Sequence, residues 1–337
     1  MFGIQSRKRA VAVPRSRGRW WAALGASVLL LLLVSIVGWY WSREPDRYLL
    51  AADTTTQPVV TGYATVDTLI RTIEWMLGKP GGYLSNDITP PSVWLDNMPS
   101  FEFGVLVQSR DLARVLRNDY SRSQSQSTED RDLAIAEPAL NFDNDSWIFP
   151  TTESRYREAA EALRGYRTRL TDANRTDGQF FARADNLREW LAVVERRLGS
   201  LSQRLSASVG QARINTDLAG DRAAQASRPQ ASIVEIKTPW LEIDDVFYEA
   251  RGTAWALLQF MAAAEVDFEA VLTDKNAVVS VRQIMRELEE ALTEISSPII
   301  LNGEGYGFFP NHSLVLASYL SRAHSAVIDL RELLAQG

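Results

Sequence analysis

The sequence predicts a mostly α-helical protein, in which a single N-terminal transmembrane helix is followed by an all-α ectodomain. Three observations support this fold class. An uncharged apolar run fills residues 20–42, apolar residues recur with helical spacing through most of the later chain, and strand-like alternation is sparse. The remainder of the 337-residue chain has an ordinary globular composition, since 46% of all residues are apolar and 23% are charged.

Residues 20–42 have the length and the flanks of a membrane-spanning helix. As a helix the run is about 34 Å long, which exceeds a hydrocarbon core of about 30 Å. Tryptophans at 20–21 and the Trp-Tyr-Trp sequence at 39–41 match the aromatic belts of the two interfaces. The run ends without the small-residue site at which signal peptides are cleaved. We therefore interpret it as an uncleaved signal anchor that contacts the lipid bilayer.

Charge is divided sharply between the two sides of this run. The N-terminal tail, residues 1–19, contains six of the chain's 36 basic residues, and none of the 42 acidic residues precedes Arg43. The basic residues of the tail are Arg7, Lys8, Arg9, Arg15, Arg17 and Arg19. The positive-inside rule predicts a cytoplasmic tail. In a bacterium, this orientation means a location in the inner membrane with a periplasmic C-terminal domain. The rest of the chain has a formal charge of −12, which argues against binding to nucleic acid.

The composition also narrows the possible chemistry. The chain has no cysteine and only two histidines, His312 and His324, so we expect neither disulfides nor a metal site. The glycine-rich run at 303–307 lacks the Lys-Ser/Thr pair of a phosphate-binding loop and predicts a tight turn. We therefore expect no cofactor.

Beyond the anchor, the sequence predicts a tether at residues 43–63 and a helical periplasmic domain at residues 64–337. Proline and glycine interrupt the tether, and residues 213–232 are polar and irregular. Helical spacing and capping residues predict the main helices of the domain outside residues 152–212. These lie at about residues 65–77, 100–120, 130–136, 238–272, 276–295 and 313–334.

Residues 152–212 carry the clearest pattern, in which apolar residues step by three and four as in a heptad seam. A turn-rich sequence at 174–178 predicts an antiparallel helical hairpin with its tip there. The spacing continues through Asp177, however, so one unbroken helix is an alternative. The seam fits either packing within a bundle or a coiled coil with a partner.

Three loops rich in aromatic residues, glycine and proline are the candidate ligand or partner surface. They lie at residues 78–100, 141–152 and 298–312. Two of them end in Phe-Pro before a helix start, which is typical of a hydrophobic staple and a proline entry. The functional alternative is that the three loops converge into a groove. The candidate residues are Tyr83, Asn86, Asp87, Trp94, Trp147, Phe149, Tyr306 and Phe309.

Glu153 is the one candidate catalytic residue. Glu153, Ser154 and Tyr156 form a Glu-Ser-x-aromatic run at a predicted helix start, which is similar to the catalytic motif of helical lytic transglycosylases. The Gly-Leu-Met-Gln stretch that accompanies that motif is absent, and an acid in the first turn of a helix is also favoured by the helix dipole. No catalytic set is complete.

Several segments resemble an uncharacterised bacterial family of inner-membrane-anchored proteins, the domain of unknown function 2333. The resemblance rests on residues 81–88 (GGYLSNDI), 91–99 (PSVWLDNMP), 144–150 (NDSWIFP), 182–187 (ARADNL) and 198–205 (LGSLSQRL). It covers most of the chain after the anchor and implies the same topology. It implies no catalytic residues.

The leading hypothesis is a non-enzymatic envelope protein, a membrane-tethered helical module that binds or scaffolds other envelope proteins. The anchor, the heptad helices and the incomplete catalytic set support it. One alternative is a peptidoglycan-cleaving enzyme that uses Glu153. A second alternative is a lipid or small-ligand carrier with a groove among the aromatic loops.

Overall fold

The computed structural model describes residues 16–47, 60–123, 128–172, 174, 177–214, 233–297, 299–304 and 306–336. In this part of the chain there are ten α-helices and one two-stranded antiparallel sheet, so the mostly helical fold class is confirmed. The helices are α1 Ser16–Trp41, α2 Tyr63–Gly78, α3 Asn97–Val115, α4 Leu133–Leu140, α5 Thr152–Thr171, α6 Ala184–Ser206, α7 Ile243–Asp267, α8 Glu269–Asp274, α9 Val278–Ala291 and α10 His312–Ala335. The strands are β1 Gln211–Ile214 and β2 Ile233–Ile236.

Helix α1 is long and apolar enough to cross a membrane, and its side chains are exposed from Arg19 almost to its end. Among the side chains of α1 that the structure describes, those of its last turn pack against the rest of the protein. A Cβ atom added to Gly38 would lie 3.4 Å from Pro91 Cβ and 3.5 Å from Leu95 Cδ2. Helix α1 therefore projects from the helical domain and joins it through close contact.

Helix α7 is the centre of the bundle, because it is buried on all sides and packs against α2, α3 and α9. Its closest neighbour is α3, and two glycines permit the approach. A Cβ at Gly104 would lie 2.1 Å from the Glu249 carbonyl oxygen, and one at Gly252 would lie 2.0 Å from the Phe101 carbonyl oxygen. The two backbones are in contact there, so neither position has room for a side chain.

The remaining helices form two groups around this centre. Helix α5 packs against α2 and α4, whereas α6 packs against α10, which also contacts α9. Local caps fix where two of these helices begin. The Thr151 side chain accepts a hydrogen bond from Ser154 N before α5, and the Asn311 side chain accepts one from Leu314 N before α10.

The prediction for residues 152–212 needs correction. The unbroken helix is wrong, because α5 ends at Thr171 and α6 begins at Ala184. The hairpin and the partner-binding coiled coil are not confirmed either, because α5 and α6 pack against different helices and not along each other. The seam residues Leu163 and Leu198, for example, are both fully buried. A heptad pattern predicts that a helix face is buried but not which helix covers it.

The end of α6 also differs from the prediction of helical spacing up to Ala212. The helix ends at Ser206, and Gly210 takes a left-handed φ of 84° before β1. Strand β1 pairs with β2 in antiparallel register, with Gln211 opposite Ile236. The predicted irregular connection at residues 213–232 lies outside the described residues from 215 onwards.

The described part of the predicted tether contacts the helical domain. Arg43 stacks over the Trp39 ring, 4.2 Å from its centroid, and the next residue, Glu44, pairs with Arg251 of α7. Residues 48–59 of the predicted tether lie outside the described residues.

Candidate functional site

The contacts of the segment that follows α1 show which end of α7 lies near α1. The carboxylate of Glu44 accepts a hydrogen bond from Arg251 Nε at 2.7 Å. Further along the chain, the Arg47 carbonyl accepts one from Gln259 Nε2 at 2.6 Å. The segment that leaves α1 thus runs along α7 towards higher residue numbers. The N-terminus of α7 therefore lies at the α1 end of the bundle.

Arg251 joins three elements at this end. Its guanidinium is buried, pairs with Glu44 and donates hydrogen bonds to the carbonyls of Ala291 and Thr293, each at 3.0 Å. A cation is favoured at the C-terminus of a helix, which here is that of α9. The segment after α9 therefore begins beside the α1 junction.

The segment between α2 and α3 lies directly against the end of α1. The Trp41 ring covers Gly81 so closely that a Cβ there would lie 2.7 Å from Trp41 Cδ2. Gly81 also has a φ of 86°, a conformation that other residues rarely adopt. Both facts require glycine at this position.

A buried carboxylate holds this segment in place. The side chain of Glu102 accepts hydrogen bonds from Leu84 N and Ser85 N at 3.0 and 3.1 Å, and Lys79 Nζ lies 2.8 Å from it. Burial raises the pKa of Glu102, while the ion pair with Lys79 opposes that rise. This network orders the backbone that leads to the exposed residues of the segment.

The segment between α4 and α5 is bound to the same structure. Asn86 Nδ2 donates hydrogen bonds to the Ser146 carbonyl and to Glu153 Oε2, each at 3.0 Å. Beneath them, the Tyr83 and Tyr156 rings meet edge to face with centroids 5.5 Å apart, and burial raises the pKa of both phenols. Two of the three predicted aromatic loops are therefore in direct contact.

The third predicted loop, between α9 and α10, lies at the same end of the bundle. His312, which begins α10, faces Phe247 near the start of α7 with ring centroids 6.4 Å apart. Burial lowers the pKa of His312. A bridge between Asn302 and Asn311 folds the loop back on itself, so its aromatic tip projects from the bundle.

A fourth segment, between α6 and α7, completes this end. Thr238 N donates a hydrogen bond to the Ala207 carbonyl at 3.0 Å, which closes the chain back onto the end of α6. The next residues include Trp240 and Leu241, whose side chains are exposed immediately before α7 begins.

We call these four segments together the α1-proximal face: residues 79–96, 141–151, 207–242 as far as described, and 292–311. Among the described residues outside α1, nearly all exposed large apolar side chains lie on this face. They are Ile88, Val93, Trp94, Trp147, Ile148, Phe149, Val209, Ile236, Trp240, Leu241, Ile299, Tyr306, Phe308 and Phe309. The remaining three are Ile135, Val279 and Val315. Apolar exposure this concentrated indicates a contact surface.

The face divides the sequence-predicted site residues into two groups. Tyr83 and Asn86 are buried and hold the segments together, and Asp87 is partly exposed beside them. The other five, which are Trp94, Trp147, Phe149, Tyr306 and Phe309, are exposed on the face. Their role as a ligand or partner surface stays a prediction.

Sequence reasoning missed several exposed members of the face. Ile88, Val93 and Ile148 each lie beside a predicted loop residue, so an aliphatic neighbour of such a residue is a usable signal. Trp240 and Leu241 were read as part of a long helix, although they precede its start at Ile243. The Trp-Leu pair directly after Pro239 is the signal that the sequence offers, since a proline can precede a helix start by a few residues.

Glu153 lies in the first turn of α5, where its carboxylate accepts the hydrogen bond from Asn86. It thereby links the two neighbouring loops, and its catalytic role stays a prediction. Among the described residues, no group of three or more histidine, aspartate or glutamate side chains is arranged to hold a metal ion.

These features define a class of protein: a helical bundle that packs against the end of one long apolar helix and exposes aromatic loops at that contact. The chain belongs to the bacterial family described as "Uncharacterized protein conserved in bacteria (DUF2333)", whose model matches residues 14–337. The resemblance seen in the sequence is thus confirmed. No curated protein and no solved structure matches the chain.

Proposed function

We propose that this protein is a bacterial inner-membrane protein that holds a helical periplasmic domain in a fixed orientation, so that the domain binds or scaffolds another component of the envelope. The observation that carries the proposal is the junction of α1 with the bundle. Gly38 and Trp41 pack against residues 79–96, and Glu44 pairs with the buried Arg251.

A fixed junction matters because it sets which side of the domain faces outwards. A domain on a flexible tether samples all orientations, whereas this one presents the same helices at the same height above the bilayer. The side and the distal end of the bundle include exposed, charged positions such as Arg286 on α9 and Arg131 before α4. They are the surfaces open to a periplasmic partner, since the heptad seams are buried within the bundle.

Two measurements on the full chain test the proposal. First, alkaline phosphatase fused to the C-terminus should be active and a fluorescent protein that needs the cytosol to mature should be dark. The reverse pattern would contradict the periplasmic location.

Second, a photo-cross-linking residue at Arg286 or Arg131 should capture a specific envelope protein or a second copy of the chain in living cells. The same residue at a buried position, Leu320, serves as the control and should capture nothing. Only random background at the exposed positions, with a monomer in mild detergent, would contradict a scaffolding role.

A further inference from the structure

We propose that the α1-proximal face rests on the bilayer that α1 crosses, with its aromatic loops inserted at the level of the lipid headgroups. This inference rests on the proposed membrane anchoring and goes beyond it. It assigns a lipid-contacting role to a part of the domain that lies far from α1 in sequence. The occupant of the face is the outer leaflet of the membrane and not a protein.

The contacts of Gly38 give the position of the face relative to the bilayer. This residue lies within the apolar run, one turn before its end, and at 1.5 Å per residue it is only about 5 Å from Trp41 along the helix. Pro91 and Leu95 touch it. If α1 spans the bilayer, these two residues lie in the interfacial zone, and the exposed Trp94 between them lies there too.

The residue types on the face fit this zone. Tryptophan and tyrosine are enriched at membrane interfaces, because their rings are apolar while one polar atom stays hydrated. Phe149 and Phe308 are 92% and 97% exposed, an arrangement that is unfavourable in water for rings of this size. Lipid contact would cover them.

The charges on the face indicate how it would bind. Among the residues whose side chains are described, its segments carry Asp87, Asp96, Asp143, Asp145, Glu242, Glu294 and Glu304, whereas the exposed cation is Lys237. The described charges of the face therefore do not favour attraction to anionic lipids. The force that would bind the face to lipid is therefore the insertion of its apolar side chains, which does not require anionic lipid.

The distribution of these side chains favours a bilayer over a protein as the occupant. They are spread over four separate segments at the end of the bundle from which α1 projects, and the opposite end exposes few of them. A flat membrane surface can contact all four of these segments at the same time. The face is also continuous with the end of α1, which carries Trp39 and Tyr40 in the predicted interfacial zone. This continuity likewise favours lipid as the occupant.

The experiment uses the natural absence of cysteine in the chain. Full-length variants Phe149→Cys and Phe308→Cys are labelled with a polarity-sensitive fluorophore and placed in phosphatidylcholine nanodiscs. Val279→Cys is the matched control, because Val279 is 74% exposed but lies about 18 Å along α9 from the Ala291 end that contacts Arg251. Leu30→Cys in α1 reports on the anchor itself.

We expect nitroxide groups attached to the lipid to quench the labels at 149 and 308 at least ~3-fold more strongly than the label at 279, and aqueous iodide to show the reverse order. Unchanged melting temperatures verify that each variant is folded. Equal quenching at 149, 308 and 279, with Leu30 quenched by lipid, would overturn this inference and leave the anchor intact. Absence of lipid quenching at Leu30 would overturn the anchor and the inference with it.

Discussion

The two ends of the helical bundle are built differently, although they share one core. The end far from α1 is closed by polar contacts: Asp267 accepts hydrogen bonds from Gly62 N and Thr65 N, and Arg169 pairs with Asp130 and Asp132. The α1-proximal face instead leaves tryptophan, tyrosine and phenylalanine side chains uncovered. One end is thus closed by polar contacts, whereas the other leaves aromatic side chains exposed, and the proposed lipid contact would account for this difference.

The aromatic residues of the distal end show the contrast most clearly. Tyr120, Phe180 and Phe268 form a compact trio with ring centroids 5.1 to 5.8 Å apart. Tyr120 and Phe268 are fully buried. The same residue types are thus packed inside at one end and exposed at the other, so composition alone does not explain the exposure.

The largest expected effect lies in the core that both ends share. Gly104→Leu would force a side chain into the Glu249 backbone, and we expect a loss of at least about 4 kcal/mol in the free energy of unfolding, or no folded protein. Gly78→Ala is the control, because nothing lies within 4 Å of its added Cβ. Thermal unfolding of the full chain in detergent, followed by circular dichroism, measures both. Equal stability of the two variants would contradict the close crossing of α3 and α7.

The next largest loss of stability is expected from a change in the ion pairs of the distal end. Arg169→Met removes the buried cation between the partly exposed Asp130 and Asp132, so we expect the free energy of unfolding to fall by about 3 kcal/mol. Arg131→Met should change stability by less than about 1 kcal/mol, because its side chain is 66% exposed and its ion pairs are long. Urea unfolding of both variants makes the comparison. A loss at Arg131 as large as at Arg169 would show that the distal ion pairs act only through net charge.

A smaller effect is expected where α1 meets the bundle. Gly81→Ala places a non-glycine residue at a positive φ and against the Trp41 ring. We expect this change to lower the free energy of unfolding by about 2 kcal/mol. In the variant Gly81→Ala with Trp41→Ala, the steric part of this loss should be recovered and the backbone part should remain. Additive losses in this double-mutant cycle would show that the ring and Gly81 are not coupled.

The smallest effect concerns the exposed rings. Phe149→Ser and Phe308→Ser should each change the free energy of unfolding in detergent by less than about 0.5 kcal/mol, because neither ring packs into the core. A control at the distal end, Phe268→Ser, should be severely destabilising, since that ring is fully buried. If the two loop variants lost as much stability as Phe268→Ser, the loops would be part of the core and not a contact surface.

Much of the fold could be predicted from local patterns. Helical spacing with Gly78 and Pro80 as a stop placed α2 within two residues of its observed bounds, and the last helix was placed within one residue. Tertiary partners could not be predicted in the same way. The seams of α5 and α6 have the same spacing, yet they are covered by different helices, because periodicity reports burial and not the identity of the neighbour.

The site was predicted in part for a similar reason. Loop composition identified Trp94, Phe149 and Phe309, which are exposed. It also selected Tyr83, which is buried, because an aromatic residue in a loop has the same signature whether it packs inwards or outwards. The pair of Glu44 with Arg251 joins residues 207 positions apart, so no local pattern contains it.

One measurement tests the central claim that the α1-proximal face lies against the membrane while the distal end faces the periplasm. Cells that produce full-length Val279→Cys or Phe149→Cys are treated with a membrane-impermeant maleimide after permeabilisation of the outer membrane only. We expect Cys at position 279 to react readily and Cys at position 149 to react at least ~10-fold more slowly. Equal rates at both positions, or no reaction at 279, would contradict the claim.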